Sequence, residues 1–472
     1  MEENKEPVRP VNPRRKKLSK VRIFKEVYLP VIIFGIAIIF IVSFIIGAIV
    51  RTVQKNEVTT QASIQASIAQ ATEEALQRAE AQELIVRAEQ QALSYDYQGA
   101  IQTLESFSGN LLQYPELSSL RDTYVEAQRS MIPWDDPSQV MNLSFQLLIP
   151  DPERAFQHQV YGSSFRNNFI TTVEFSRILQ QLYENGYILV SLDDIVAAET
   201  NAEGATIYTP KTLYLPNGKK PIMLTQTNVN YNLYLIDSDQ DMLPDKDGGG
   251  FASKLMLDSN GRFTNEMVDS SGQTVTGAFD LVPILDDFVA NHPDFSYRGA
   301  KAILSLTGYN GLFGYRTHPA GVEKFGQDAY NQAVQDVGNL AASLRQNGYT
   351  LACYTYENVP YGEIGIAQLQ ADLKSWQDQV EPILGHMDIL VYAQKSDITT
   401  DKDYSGEKYE TLQNAGFRYY LGLCQDGKQF TQVTEQYVRQ GRIMVTGQNL
   451  SEHSDWFVPY FDTDIVKDEA RK

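Results

Sequence analysis

Asp237-Ser238-Asp239-Gln240-Asp241-Met242 and, further on, Asp245 and Asp247 set carboxylates at alternating positions along one short stretch. Calcium cages are built this way, from acids at the first, third and fifth places and a glycine at the sixth for a sharp turn. Here Met242 holds the sixth place and Gly248 the twelfth. Asp237, Asp239, Asp241 and Asp245 are thus candidate calcium ligands. The plainer alternative is a solvated acidic loop hinged at Gly248-Gly249-Gly250. Other groups capable of chemistry are dispersed: His158, His292, His318, His386 and His453 sit far apart, none in a paired motif. Cys353 and Cys424 form neither a disulfide framework nor a metal-type spacing, so each is expected to be a buried free thiol.

A second place for chemistry is the end of the apolar run Ile222-Met223-Leu224, where Thr225, Gln226, Thr227 and Asn228 emerge. A β/α barrel carries its site at the C-terminal ends of its strands. The groups offered here are hydroxyls and amides. At or just after other expected strand ends stand Tyr309, Tyr315, Arg316, Tyr354, Tyr356, Tyr361 and Tyr392. Rings with a hydrogen-bonding tip suit sugar faces, which makes these residues, with Asn228, the candidate ligand-binding set. Residues 354 and 356 are expected to share one strand face. The alternative is that many of the 27 tyrosines simply fill core or surface. Gly308 and Gly311 would hinge a loop over the mouth.

The elements that must position these residues alternate from residue 141 onward. Strands are expected at 143–149, 187–192, 301–306, 350–356, 388–392, 417–423 and 442–446, with a hairpin arm at 206–215 before the central strand. Helices are expected at 280–290, 327–347, 366–380 and 406–415. Another opens at the capping box Thr171-Thr172-Val173-Glu174 and ends at Asn185-Gly186. So many βα units in a row predict a parallel sheet closed into a barrel, interrupted by an insertion at 229–276.

Asn168-Phe169-Ile170-Thr171, the helix ending Tyr183-Glu184-Asn185-Gly186-Tyr187, and Val190-Ser191-Leu192-Asp193-Asp194-Ile195 resemble the approach to the first motif of polysaccharide deacetylases, the nodulation-type chitooligosaccharide deacetylase family. The resemblance covers about residues 141–465 and implies that family's distorted β/α barrel. It also implies a metal-dependent N-deacetylase whose first motif ends Thr-Phe-Asp-Asp, a general base followed by a metal ligand. Those positions are Thr227 and Asn228. The family's His-x-x-x-His falls on Tyr354-Thr355-Tyr356-Glu357-Asn358, its Pro-Tyr-Gly segment on Tyr392-Ala393-Gln394-Lys395, and its Leu-x-His has no match in Met444-Val445-Thr446-Gly447-Gln448. Neutral hydroxyls and amides neither hold zinc against water nor act as a general base near neutral pH. Thr227, Asn228, Tyr354 and Asn358 are degenerate catalytic positions, and no cofactor is expected at the ancestral zinc site.

The chain has 472 residues, 43% of them apolar, enough for a large core. Nine basic against four acidic residues leave +5 on 1–28, and −24 on the rest of a chain whose net charge is −19. An acidic body argues against nucleic acid as partner. Residues 29–50 carry no charge, enough to span a membrane and too many for a secretory leader. The expected organisation is a basic cytoplasmic tail (1–28), one transmembrane helix (29–50), an outward helical stalk (51–132) and the barrel (133–472). Ala92–Leu104 is similar to a single tetratricopeptide unit; a spacer through which the chain homodimerises is the alternative. The expected function is a membrane-anchored extracellular deacetylase homologue without catalysis that binds a cell-envelope glycan or a surface partner. An active carbohydrate deacetylase with an atypical site, and a structural protein-interaction module, are the alternatives.

Overall fold

The computed structural model describes residues 29–53, 59–424 and 426–471; the basic tail 1–28 lies outside them. A helix runs Leu29–Val53 over the uncharged stretch, with side chains described for residues 34–46. Among the described residues no helix is long and apolar enough to cross a membrane. The chain divides into two compact units, residues 1–90 with 98–125, and residues 91–97 with 126–472.

The first unit is helical. Thr59–Leu93 extends for 35 residues, and Tyr97–Glu105 and Pro115–Arg129 follow after short turns. Its small core holds Ala81, Leu84, Ala88, Ala100, Leu104, Phe107 and Leu117, with Phe107 edge-on to Tyr114 at 4.7 Å. Ala88 and Ala100 lack bulk, which lets helical backbones approach closely at those points.

The second unit is built on eight strands: β1 (Met141–Phe145), β2 (Tyr187–Leu189), β3 (Lys220–Gln226), β4 (Ala302–Leu306), β5 (Thr350–Cys353), β6 (Ile389–Val391), β7 (Tyr419–Leu423) and β8 (Val438–Met444). Parallel pairing runs β1–β3–β4–β5–β6–β7–β8 and back to β1, a closed barrel of seven strands. The distortion lies at β3. Its first half pairs with β2 through Tyr187–Lys220, whereas its second half pairs on that side with β4 through Ala302–Leu224.

Alternation along the strands separates two cores. Met223, Ile303, Ala352, Ile389, Val391, Tyr419, Leu421 and Val438 form one cluster, the barrel interior. Leu143, Phe145, Leu224, Leu304, Leu351, Cys353, Leu390, Tyr420 and Ile443 form the other, against the helices Thr172–Glu184, Gln327–Gln346 and Ile366–Gln379. Toward the C-terminal ends the interior turns polar: Thr225 donates to Asn142 (2.8 Å) and Asn142 to Gln440 (3.0 Å). The capping box at Thr171 and Glu174 forms as its sequence predicts. Cys353 and Cys424 are buried free thiols.

Several local expectations need correction. The first strand spans Met141–Phe145 in place of 143–149, and the last starts at Val438 in place of 442. The strand expected through 356 stops at Cys353. The 206–215 arm is two strands, Thr206–Pro210 paired with Val196–Thr200 and Leu213–Leu215 with Ile132–Trp134. The insertion is a three-stranded antiparallel meander, Lys254–Leu257, Phe263–Val268 and Thr274–Gly277.

Candidate functional site

The chain leaves three barrel strands through left-handed residues that are not glycine: Asn228 (φ 59°), Thr355 (62°), Asn358 (57°), Gln394 (53°) and Lys395 (65°). Such backbone costs about 1–3 kcal/mol per residue and persists where its surroundings enforce it. Thr355 is the sharpest case because a β-branched side chain rarely tolerates this region. Five of the eleven such residues among the described ones thus stand at the C-terminal rim, where a barrel keeps its site.

Thr227 continues β3 by donating its N–H to the Phe145 carbonyl (2.8 Å). Tyr354 enters the interior set and is partly exposed at the mouth. Burial raises its pKa; the Arg442 charge and hydrogen bonds from the Gln394 backbone and the Thr227 side chain act the other way. The Asn228 carboxamide accepts from the Thr307 hydroxyl (3.3 Å), and the Asn358 carbonyl accepts from the Gln394 amide (2.6 Å).

Arg442 lies beneath these residues, fully buried on β8. It donates to the Ser144 hydroxyl (2.6 Å) and to the Tyr392 and Leu421 carbonyls (3.4 Å each), and its Nε has no partner. Burial pushes its pKa down to about 10, with Tyr354 and Cys424 acting against the fall, so it stays charged at neutral pH. A metal ion does not fit this mouth. The available donors are a hydroxyl, amides and a phenol, and the chain has already placed a cation under them.

Not every expected mouth residue is there. The left-handed turn at Thr355 breaks the alternation, so Tyr356 does not share a face with Tyr354. It joins the outer layer, where its N–H donates to Asp372 (2.8 Å) and its hydroxyl to Gln379 (2.7 Å). Tyr392 is likewise buried in the outer layer, stacked on Tyr420 at 6.2 Å, and Tyr361 donates to Asp372 (2.7 Å). Tyr315 and Arg316 line a separate small cavity of about 190 Å³. Arg316 fastens loops there, donating to the Asn310 (2.9 Å) and Tyr231 (3.3 Å) carbonyls. Gly308 and Gly311 are no hinge. A Cβ on the first would strike the Tyr356 ring and one on the second the Tyr315 carbonyl, so both serve close packing.

A cleft of about 880 Å³ is lined by Arg154, His158, Tyr161, Tyr234, Met242 and Lys246, among others. Tyr161 and Tyr234 are 39% and 43% exposed, large rings left open to solvent. His158 stacks on Tyr161 at 5.4 Å, and Tyr161 meets Tyr234 edge-on at 6.0 Å. His158 is held by its Nδ1, which accepts the Tyr161 N–H (3.1 Å). Burial raises the Tyr234 pKa, and the nearby phenols of Tyr309, Tyr354 and Tyr161 raise it further.

The acidic stretch forms part of that cleft through Asp237 and Asp247. Asp237, Asp239 and Asp245 bring one oxygen each within 4.8 Å of one another, whereas Asp241 lies outside the group and accepts from the Leu243 N–H (2.8 Å). Met242 takes φ 69°, the conformation for which a sixth-place glycine is used. Its N–H donates to Asp237 (2.8 Å), and Asp245 accepts from the Ser238 N–H (2.7 Å).

No family model and no curated protein matches the chain. Among solved structures it is similar to a deacetylase of Streptococcus pyogenes in complex with acetate, at 12% identity and a TM-score of 0.33, over 68% of this chain and 97% of that one. It is also similar to a polysaccharide deacetylase from Bacillus cereus, at 10% identity and a TM-score of 0.33, over 70% of this chain and 69% of that one. Likeness of this grade says nothing of what the chain binds.

Proposed function

We propose that the barrel binds a cell-envelope glycan without hydrolysing it. The observation that carries this is the aromatic series His158–Tyr161–Tyr234 along the cleft. Sugar rings present C–H faces that pack on aromatic rings, while their hydroxyls meet phenol and amide tips. The cleft volume of about 880 Å³ lies within the range of ligand sites. Catalysis is set aside on the chemistry of the mouth: no carboxylate or imidazole stands at Thr227, Asn228, Tyr354 or Asn358, and Arg442 lies beneath.

Retention of the full-length chain on acetylated chitooligosaccharide tests this. Tyr161→Ala and Tyr234→Ala are each expected to weaken retention by up to about tenfold, since an aromatic contact contributes roughly 0.5–1.5 kcal/mol beyond its buried area. Melting should not change, because both rings are exposed at the rim. Retention of both variants at the parental level would remove the cleft from the account.

The same proposal places the barrel outside a membrane in which residues 29–50 are the anchor, supported by the absence of charge there and by the +5 tail against the −24 body. A homodimer through the stalk belongs to it as well, supported by the length of the helix Thr59–Leu93. Calcium is proposed for Asp237, Asp239 and Asp245, supported by their convergence. Binding to the folded state would raise the melting temperature, and Asp237→Asn with Asp239→Asn would erase the rise. Identical melting in calcium and in chelator would leave a solvated acidic loop.

A further inference from the structure

Arg442 differs from Arg439 and Arg471 of the barrel unit, and unlike Arg316 it is fully buried. Arg439, on the same strand, pairs with Asp397 at 2.8 Å, and Arg471 pairs with Glu174. Arg442 is as buried or more so, yet its partners are one hydroxyl and two carbonyls, and Nε has none. No carboxylate among the described residues forms an ion pair with it. A cation taken from water without an anion costs several kcal/mol. In a body carrying −24 the missing partner is not for want of acids. The charge has no carboxylate partner within the low-dielectric barrel, and it lies near Tyr354, which with Asn228 is partly exposed at the rim.

We infer that the barrel mouth recognises a carboxylate-bearing sugar, with the Arg442 guanidinium supplying the anion's counter-charge from below Tyr354. The inference rests on the glycan-binding reading and narrows it: neutral residues of the polymer lie along His158, Tyr161 and Tyr234, and an acidic residue lies over the mouth. The Asn228 amide and the Tyr354 phenol, both partly exposed, offer neutral donors around the carboxylate, and the divalent cation that would compete for it is excluded by the same guanidinium.

Calorimetric titration of the full-length chain with glucuronate and with its neutral amide, glucuronamide, tests the inference apart from polymer binding. The acid is expected to bind at least tenfold more tightly than the amide, with the ratio shrinking as salt rises. Arg442→Met should bring the ratio close to one. Should that variant fold poorly, Arg442→Lys keeps the charge on a different head group and should keep the preference for the acid in weakened form. Equal binding of acid and amide by the parent, or heat from neither, overturns the inference while leaving polymer retention intact. Loss of polymer retention with a surviving acid preference would instead overturn the cleft.

Discussion

The substitutions Thr227→Asp, Asn228→Asp, Tyr354→His and Asn358→His, made together, are expected to hold no stoichiometric zinc until Arg442→Met is added. The four changes restore two carboxylates and two imidazoles at the rim of β3 and β5, a donor set that suits zinc. Arg442 remains beneath them, buried and charged. A dication held close to a buried guanidinium at an effective dielectric of about 20 is repelled by several kcal/mol, on the order of a hundredfold or more in affinity. The additional Arg442→Met removes that term and fills the space with an apolar chain, a replacement that buried charges often tolerate or even favour. Metal content after equilibrium dialysis reads the result directly. One zinc per chain in the fourfold variant with Arg442 kept would show that the guanidinium does not control the mouth.

The second large effect concerns Asp280, a fully buried carboxylate remote from solvent. It accepts the Leu148 N–H (2.9 Å), the Gln226 amide (2.7 Å) and the Tyr231 hydroxyl (2.7 Å), so it fastens the loop after β1, the end of β3 and the start of the insertion to one point. Asp280→Ala leaves these three donors without an acceptor, at roughly 1–3 kcal/mol each, and a loss of about 3–5 kcal/mol is expected. Its titration has a definite sign. Burial raises its pKa from the ordinary carboxylate value of 3.8 to about 6, against the hydrogen bonds that lower it. A raised carboxylate binds its proton more tightly when folded, so its contribution is complete below about pH 4 and is lost as pH climbs through 6. The parent should therefore lose stability relative to Asp280→Asn between pH 4 and 7, by about 3 kcal/mol from a shift of about two units. Parallel melting curves for the two across that range would show that the carboxylate is not held as buried as its surroundings imply.

Much of the scaffold was legible in the amino-acid text because its determinants are local. The helix from Thr172 follows from a capping box and a stripe of Phe175, Ile178, Leu179 and Leu182, all buried in the barrel unit. Apolar runs gave β3, β4 and β7 to within a few residues. The mouth was half legible. Thr227 and Tyr354 stand where strand order puts them, whereas the alternation argument for Tyr356 failed at a single left-handed Thr355, which no propensity signals. Arg442 lies in the expected strand 442–446, but its inward place was missed because Val438-Arg439-Gln440-Gly441 is too polar to announce a strand and because which way an arginine faces depends on how the barrel closes. A charge immediately before the apolar Ile443-Met444-Val445 was the available sign. The cleft was invisible for another reason: His158 and Tyr161 come from one loop and Tyr234 from another beyond β3, so only tertiary packing brings them together.

The most direct measurement is a proton magnetic-resonance titration of acetylated chitooligosaccharide with the full-length chain in the presence of zinc, followed on the N-acetyl methyl signals. The account predicts broadening of those signals, diminished by Tyr161→Ala and Tyr234→Ala, and no free acetate during prolonged incubation. Free acetate that accumulates with the parent and disappears with Asn228→Ala would contradict it, since the mouth would then be hydrolysing what it holds.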